Sequence, residues 1–206
     1  MPDSQIVGQA GSATRRMRRF GTAPLYANVP ILLLPLATRR SCCCRNGSRD
    51  KLWVMDYTEI TPCIVVGDTP CDGEDVRVLK DLGVTAVLNL QTDADFSYCG
   101  VEWKALTQGY EASGIELRRV PVIDFNRDDL RRNLPKCVAT LDELLQAEHK
   151  VLVHCNSGVN RAPSVVITYL HWIEGVPLDE AVERVTTIRR CDPYLDAIRG
   201  ATEERP

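Results

Sequence analysis

The chain has 206 residues, 44% of them apolar and 26% charged, and carries a net charge of −3, which suits one domain with a proper buried core. Residues 1–50 hold eight arginines against Asp3 and Asp50, whereas the remainder holds 17 basic and 26 acidic residues. An acidic body of this kind argues against nucleic acid or an anionic membrane as a partner, because phosphate backbones and anionic lipids demand a basic face.

Residues 1–50 are rich in Arg, Ser, Ala and Thr and nearly free of acid. That is the composition of an organelle transit peptide, expected to be disordered. The apolar run "VPILLLPLA" within it is too short to span a bilayer and contains Pro30 and Pro35. From about Lys51 the chain alternates. "CIVVG" and "VTAVLNL" read as buried strands, and "GEDVRVLKDLG" between them reads as a helix ended by Gly83. A helix follows near 101–113, then the strand "IELRRVPV". A further helix is predicted over roughly 134–148, where Leu134, Val138, Leu141, Leu144 and Leu145 recur at helical spacing. "KVLVHC" is the next strand, and helices near 161–174, 178–189 and 194–203 complete the chain. Strands alternating with helices predict an α/β fold, a central, mostly parallel twisted sheet flanked by helices, over residues 51–206.

Nine cysteines look numerous, yet Cys42 to Cys44 are adjacent, the total is odd and no Cys-x-x-Cys pair occurs. Neither a disulfide framework nor a zinc site is expected, and no other metal or cofactor is.

The most informative stretch is "VLVHCNSGVNRAPSVVITYL", in which a strand feeds a short loop that opens a helix. Backbone N–H groups converge in such a loop, and the helix dipole adds partial positive charge, so the site favours an anion. Gly158 permits the turn, and Arg161 can fork two donors onto a tetrahedral oxyanion. The same field favours the thiolate of Cys155, its nucleophilic form. Asn156, Ser157, Gly158, Val159, Asn160 and Arg161 would then form a phosphate cradle around a cysteine nucleophile, with His154 supporting the loop rather than acting as a base. The Walker loop is excluded by the absence of a Gly-Lys-Ser/Thr ending. This reads as a cysteine phosphatase working through a phosphocysteine intermediate.

Such chemistry needs a general acid. "PVIDFNRDDL" offers Asp124, Asp128 and Asp129. Asp124 follows directly on a predicted strand and is favoured; Asp128 and Asp129 read as acids at a helix N-terminus.

The loop "HCNSGVNRAP" resembles the signature of dual-specificity phosphatases in the protein tyrosine phosphatase superfamily. More narrowly, the chain resembles the plant and algal glucan phosphatases of the starch-excess and like-starch-excess type. The similarity lies in "DYTEITPCIVVGDTP", "VLNLQTDADFSYCGV", "RRVPVIDFNRDDLRRNLPK" and "RRCDPYLDAIRGAT". It implies Cys155 as nucleophile, Arg161 as phosphate ligand and Asp124 as general acid. It also implies an aromatic channel for glucan, to which Tyr57, Tyr98 and Phe125 would contribute. Ala162 after the arginine matches the glucan-type members. Two positions depart from the pattern: Cys99 stands where another aromatic is usual, and Glu143 where relatives lacking a carbohydrate-binding module tend to carry Trp. Trp103 lies near the first of these. The expected partner is therefore phosphorylated, starch-like glucan in a plastid, acted on by a monomer without a separate carbohydrate-binding module. A protein phosphatase with the same catalytic residues is the alternative, and a non-catalytic glucan-binding scaffold a lesser one.

Overall fold

The structure, a computed structural model, describes residues 55–205; the transit-peptide reading of residues 1–50 lies outside them. A five-stranded sheet has the order β1-β2-β5-β3-β4, formed by β1 (Tyr57–Thr61), β2 (Ile64–Gly67), β3 (Ala86–Asn89), β4 (Glu116–Arg119) and β5 (Val151–His154). The four strands from β2 to β4 are mutually parallel, and β1 pairs antiparallel with β2 at the edge. The fold is therefore the α/β arrangement expected, with a mixed sheet.

Side chains alternate across β2, β3 and β5, as strand geometry requires. Val65, Val87 and Leu152 face a smaller cluster beneath α1 (Gly73–Asp81), α2 (Asp93–Cys99) and α3 (Trp103–Ala112). Ile64, Val66, Ala86, Leu88, Val151 and Val153 face the larger cluster. That cluster packs under α4 (Arg127–Gln146), α5 (Arg161–Trp172), α6 (Leu178–Ile188) and α7 (Leu195–Glu203). Both faces of the central strands are covered, which is why they read as continuous apolar runs.

Three elements differ from the sequence expectation. Strand β1, "YTEIT", is half-exposed at the edge and carries no apolar run; Thr61 Oγ1 turns the chain into β2 by accepting from Ile64 N at 3.0 Å. Helix α2 has only seven residues, too few for a period, and starts on a capping box between Thr92 and Asp95. Helix α4 begins at Arg127, well before 134, because Asn126 caps it by accepting from Asp129 N. Pro135 sits inside this helix, which is what disguises its first half in the sequence.

Strands β2, β3, β4 and β5 end at Gly67, Asn89, Arg119 and His154. Being parallel, they deliver four connecting segments to one end of the sheet, where ligands of open α/β sheets bind. Among the described residues no helix is long and apolar enough to cross a membrane.

Candidate active site

The loop after β5 is held by its carbonyls. Thr69 Oγ1 donates to Cys155 O at 2.9 Å, and Thr69 N donates to Asn156 O at 3.2 Å. Arg189 donates to Gly158 O at 2.8 Å and, through its other arm, to Ser157 O at 3.5 Å. Asp192 N donates to Val159 O at 2.9 Å, and Ser164 Oγ to Asn160 O at 2.8 Å. Every carbonyl from Cys155 to Asn160 thus has a donor in the scaffold. None of the amides from Asn156 to Asn160 donates to another main-chain group among the described residues. Carbonyls engaged and successive amides unengaged is the pattern of an anion nest.

Gly158 has φ 64°, and a Cβ there would lie 2.6 Å from Gly67 O. No side chain fits, so the sequence reading of this glycine holds for two reasons, conformation and space.

Cys155 is buried at the base of the loop. Arg161, the first residue of α5, is also buried. Its Nη1 reaches Asp95 Oδ2 at 2.9 Å and Val122 O at 2.8 Å, and its Nη2 reaches Asp124 Oδ2 at 2.9 Å. Burial alone would weaken the guanidinium's hold on its proton, but the negative charges of Cys155, Asp95 and Asp124 outweigh it and raise the pKa. Asp95 shows the converse. Its burial favours the neutral acid, yet Arg161, the Thr92 amide and Asn156 hold the carboxyl below its ordinary value.

Asp124 lies on the segment between β4 and α4, part-exposed and facing the loop. Asn156 Nδ2 donates to it at 2.9 Å. Asp129 instead accepts from Ile123 N at 2.8 Å and, with Asp128, occupies the first turn of α4. Neither reaches Arg161. His154 is fully buried, its Nδ1 3.3 Å from Cys155 O. Burial pushes its pKa down to about 4, so the ring is neutral near pH 7.

Asp95, Gln91, Thr69 and Arg189 contact the loop or its arginine and were not anticipated. The capping pattern Thr92-x-x-Asp95 was the one local signal available; the others arrive from other strands or from the end of α6.

Tyr98 and Phe125 are 73% and 83% exposed. Tyr98 lies on the helix that supplies Asp95, and Phe125 adjoins Asp124. Tyr57 is half-buried against the smaller core cluster. The two departures also find their places. Cys99 is buried in that cluster, turned from the surface Tyr98 occupies. Trp103 stacks on Phe96, ring centroids 4.3 Å apart, with the Arg119 guanidinium over both rings. Glu143 is exposed, about 24 Å along α4 from its start at 1.5 Å per residue.

Residues 69–193 match the catalytic domain of dual specificity phosphatases. The chain belongs to the dual specificity phosphatase family. Within that family it is 36% identical over 148 residues to "Phosphoglucan phosphatase LSF1, chloroplastic" of Arabidopsis thaliana, covering 72% of this chain and 25% of that protein. It is 34% identical over 152 residues to "Phosphoglucan phosphatase DSP4, amyloplastic" of Castanea sativa, covering 73% and 40%. It is 34% identical over 153 residues to laforin of Mus musculus, covering 69% and 46%. The chain thus spans less than half the length of these relatives. Among solved structures, PTPMT1 in complex with PI(5)P shares the fold at TM-score 0.60 and 21% identity, over 71% of this chain and 92% of that one. Tk-PTP in the active form does so at 0.59 and 22%, over 72% and 94%.

Proposed function

We propose that this chain is a phosphoglucan phosphatase of the plastid that removes phosphate monoesters from starch-like glucan. The Cys155 thiolate attacks phosphorus, and the bond to the ester oxygen breaks. Asp124 gives its proton to that departing oxygen. Arg161 and the amides of residues 156–160 hold the three remaining phosphoryl oxygens through the transition state. Water then attacks the phosphocysteine, Asp124 takes the water's proton, the P–S bond breaks, and inorganic phosphate leaves with the thiolate restored.

The observation that carries the glucan assignment is the placement of Tyr98 and Phe125. They are the most exposed of the large apolar side chains described, and they rise from the same two segments that supply Asp95 and Asp124. Exposed rings on the segments that supply a polar site offer flat apolar faces on which sugars stack. The names of the Arabidopsis and Castanea relatives support both the substrate and the compartment. The second reading, a phosphatase of phosphorylated proteins, is favoured by the family match itself and uses the same catalytic groups.

The test compares phosphate release from phosphorylated amylopectin and from p-nitrophenyl phosphate by the full chain. Cys155→Ser is expected to abolish both. Tyr98→Ala/Phe125→Ala is expected to lose about tenfold or more on amylopectin, from two lost aromatic contacts, while retaining aryl phosphate turnover. A wild-type chain that cleaves the aryl ester and leaves amylopectin untouched overturns the glucan reading in favour of protein substrates.

A further inference from the structure

Asn156 joins the nucleophile's loop to the segment that carries Asp124. Its Nδ2 donates to Asp124 Oδ2 at 2.9 Å and to Asp95 Oδ1 at 2.7 Å. Its Oδ1 accepts from Gln91 Nε2 at 2.7 Å. Gln91 gives its other amide hydrogen to Thr69 Oγ1 at 2.9 Å, and that hydroxyl donates to the Cys155 carbonyl at 2.9 Å. The direction of every bond is forced. Backbone carbonyls accept only, so the Thr69 hydroxyl must donate to Cys155 and accept from Gln91; Gln91 then donates to Asn156, and Asn156 is left two donors for two carboxyls. The arrangement costs free energy, because Gln91 Oε1 is left buried without a partner among the described residues. A rotated Gln91 amide would satisfy neither Thr69 nor Asn156.

Arg161 also reaches Asp124 Oδ2, but its fork is the group that a phosphoryl oxyanion engages. Once it does, Asn156 is the loop's remaining hydrogen bond to the acid. The other contact of Asp124 is its own neighbour, with Phe125 N donating to Oδ1 at 3.1 Å.

We propose that Asn156 is a positioning residue for Asp124. Asn156 Nδ2 and Arg161 Nη2 both engage Oδ2, whereas Oδ1 accepts only the longer bond from its own neighbour's amide. The proton therefore favours Oδ1, and the Asn156 bond holds the carboxyl at one orientation. Gln91 and Thr69 fix the Asn156 amide in the donating sense. The proposal rests on reading Asp124 as the proton donor.

The experiment uses the full chain and two esters, p-nitrophenyl phosphate, whose leaving group departs readily, and phenyl phosphate, whose leaving group needs the proton. The readout is the ratio of their kcat/KM values, with orthovanadate affinity reporting the cradle. Asn156→Ala is expected to raise the ratio about tenfold, a fraction of the 10²–10⁴ carried by a general acid, with vanadate affinity unchanged. In an Asp124→Asn background it is expected to add nothing to the ratio, since the group it positions is already inert. Gln91→Leu, which releases the Asn156 amide without touching either carboxylate, is expected to raise the ratio about threefold; it carries the test alone if Asn156→Ala does not fold. Equal losses on both esters with weakened vanadate binding would mean a merely structural role and overturn the proposal, as would an unchanged ratio. If Asp124→Asn itself leaves the ratio unchanged, the reading of Asp124 fails; if it raises the ratio and Asn156→Ala does not, the positioning role alone fails.

Discussion

Arg189 Nε donates to the carbonyl of Gly158 across 2.8 Å. The same guanidinium reaches Thr58 Oγ1 at 3.1 Å and Asp56 Oδ2 at 3.6 Å, so it ties the loop to the start of the edge strand. Lysine keeps the charge but offers no planar fork. Arg189→Lys is expected to cost about 1–3 kcal/mol in urea unfolding, the usual penalty for unpaired buried acceptors. Turnover of p-nitrophenyl phosphate should fall about tenfold or more as the loop loosens. A variant with wild-type stability and turnover would show that Gly158 and Ser157 hold their places without it.

Asp95 is the buried counter-charge of Arg161. Removing it leaves the buried guanidinium with only Asp124 and Cys155 as negative partners, at a cost of up to about 3–5 kcal/mol. Asp95→Ala is therefore expected to lower the denaturation midpoint strongly and to abolish phosphatase activity. Asp95→Asn, which keeps the shape and one acceptor, should fall between. Equal stability of Asp95→Ala and wild type would sink this account.

Two buried groups give stability opposite dependences on pH. Burial, helped by the charges of Asp56 and Asp75, raises Asp68 to about 7. Between about pH 4 and 7 its folded form holds a proton that the unfolded form has lost, so stability falls as pH rises through this window. His154 is lowered to about 4. Between about pH 4 and 6.5 its unfolded form holds the extra proton, so stability rises with pH over that interval. The slopes, each at most about 1.4 kcal/mol per pH unit, oppose one another where they overlap. Asp68→Asn is expected to leave a rise in thermal midpoint from pH 4.5 to 6.5, and His154→Asn to leave a fall. Parallel profiles for wild type and both variants would refute the pairing.

Phe125 has φ 56°, a left-handed conformation that costs a bulky residue roughly 1–2 kcal/mol. Phe125→Gly is expected to stabilise the chain by about 1 kcal/mol while weakening action on amylopectin. Stability and glucan turnover should thus move in opposite directions. Loss of both would indicate that the ring packs within the fold rather than on a sugar.

What the sequence discloses about this site is what lies close together along the chain. Cys155, Gly158 and Arg161 form one continuous loop between a recognisable strand and helix, and Asp124 is legible because it follows a strand directly. Asp95 is separated from Arg161 by 66 residues, and Thr69 from Cys155 by 86. Only the parallel order β2-β5-β3 brings those segments together, and no local pattern encodes that order. Helix α2 escapes detection for a related reason: seven residues with one capping box are too short to show a period. Adjacent helix residues point about 100° apart. Cys99 faces the core while Tyr98 faces out, which the one-residue spacing of the two in the sequence does not by itself disclose.

The six carbonyls held from Cys155 to Asn160 have a consequence for the working cycle. A loop whose shape is set by the surrounding scaffold does not wait for the substrate to organise it. Its donors suit the terminal oxygens of the phosphoryl group of an ester and those of the free ion the reaction releases. On the proposed phosphatase reading, inorganic phosphate is therefore expected to compete with substrate for the loop, a competition that turnover of p-nitrophenyl phosphate at rising phosphate concentration would measure.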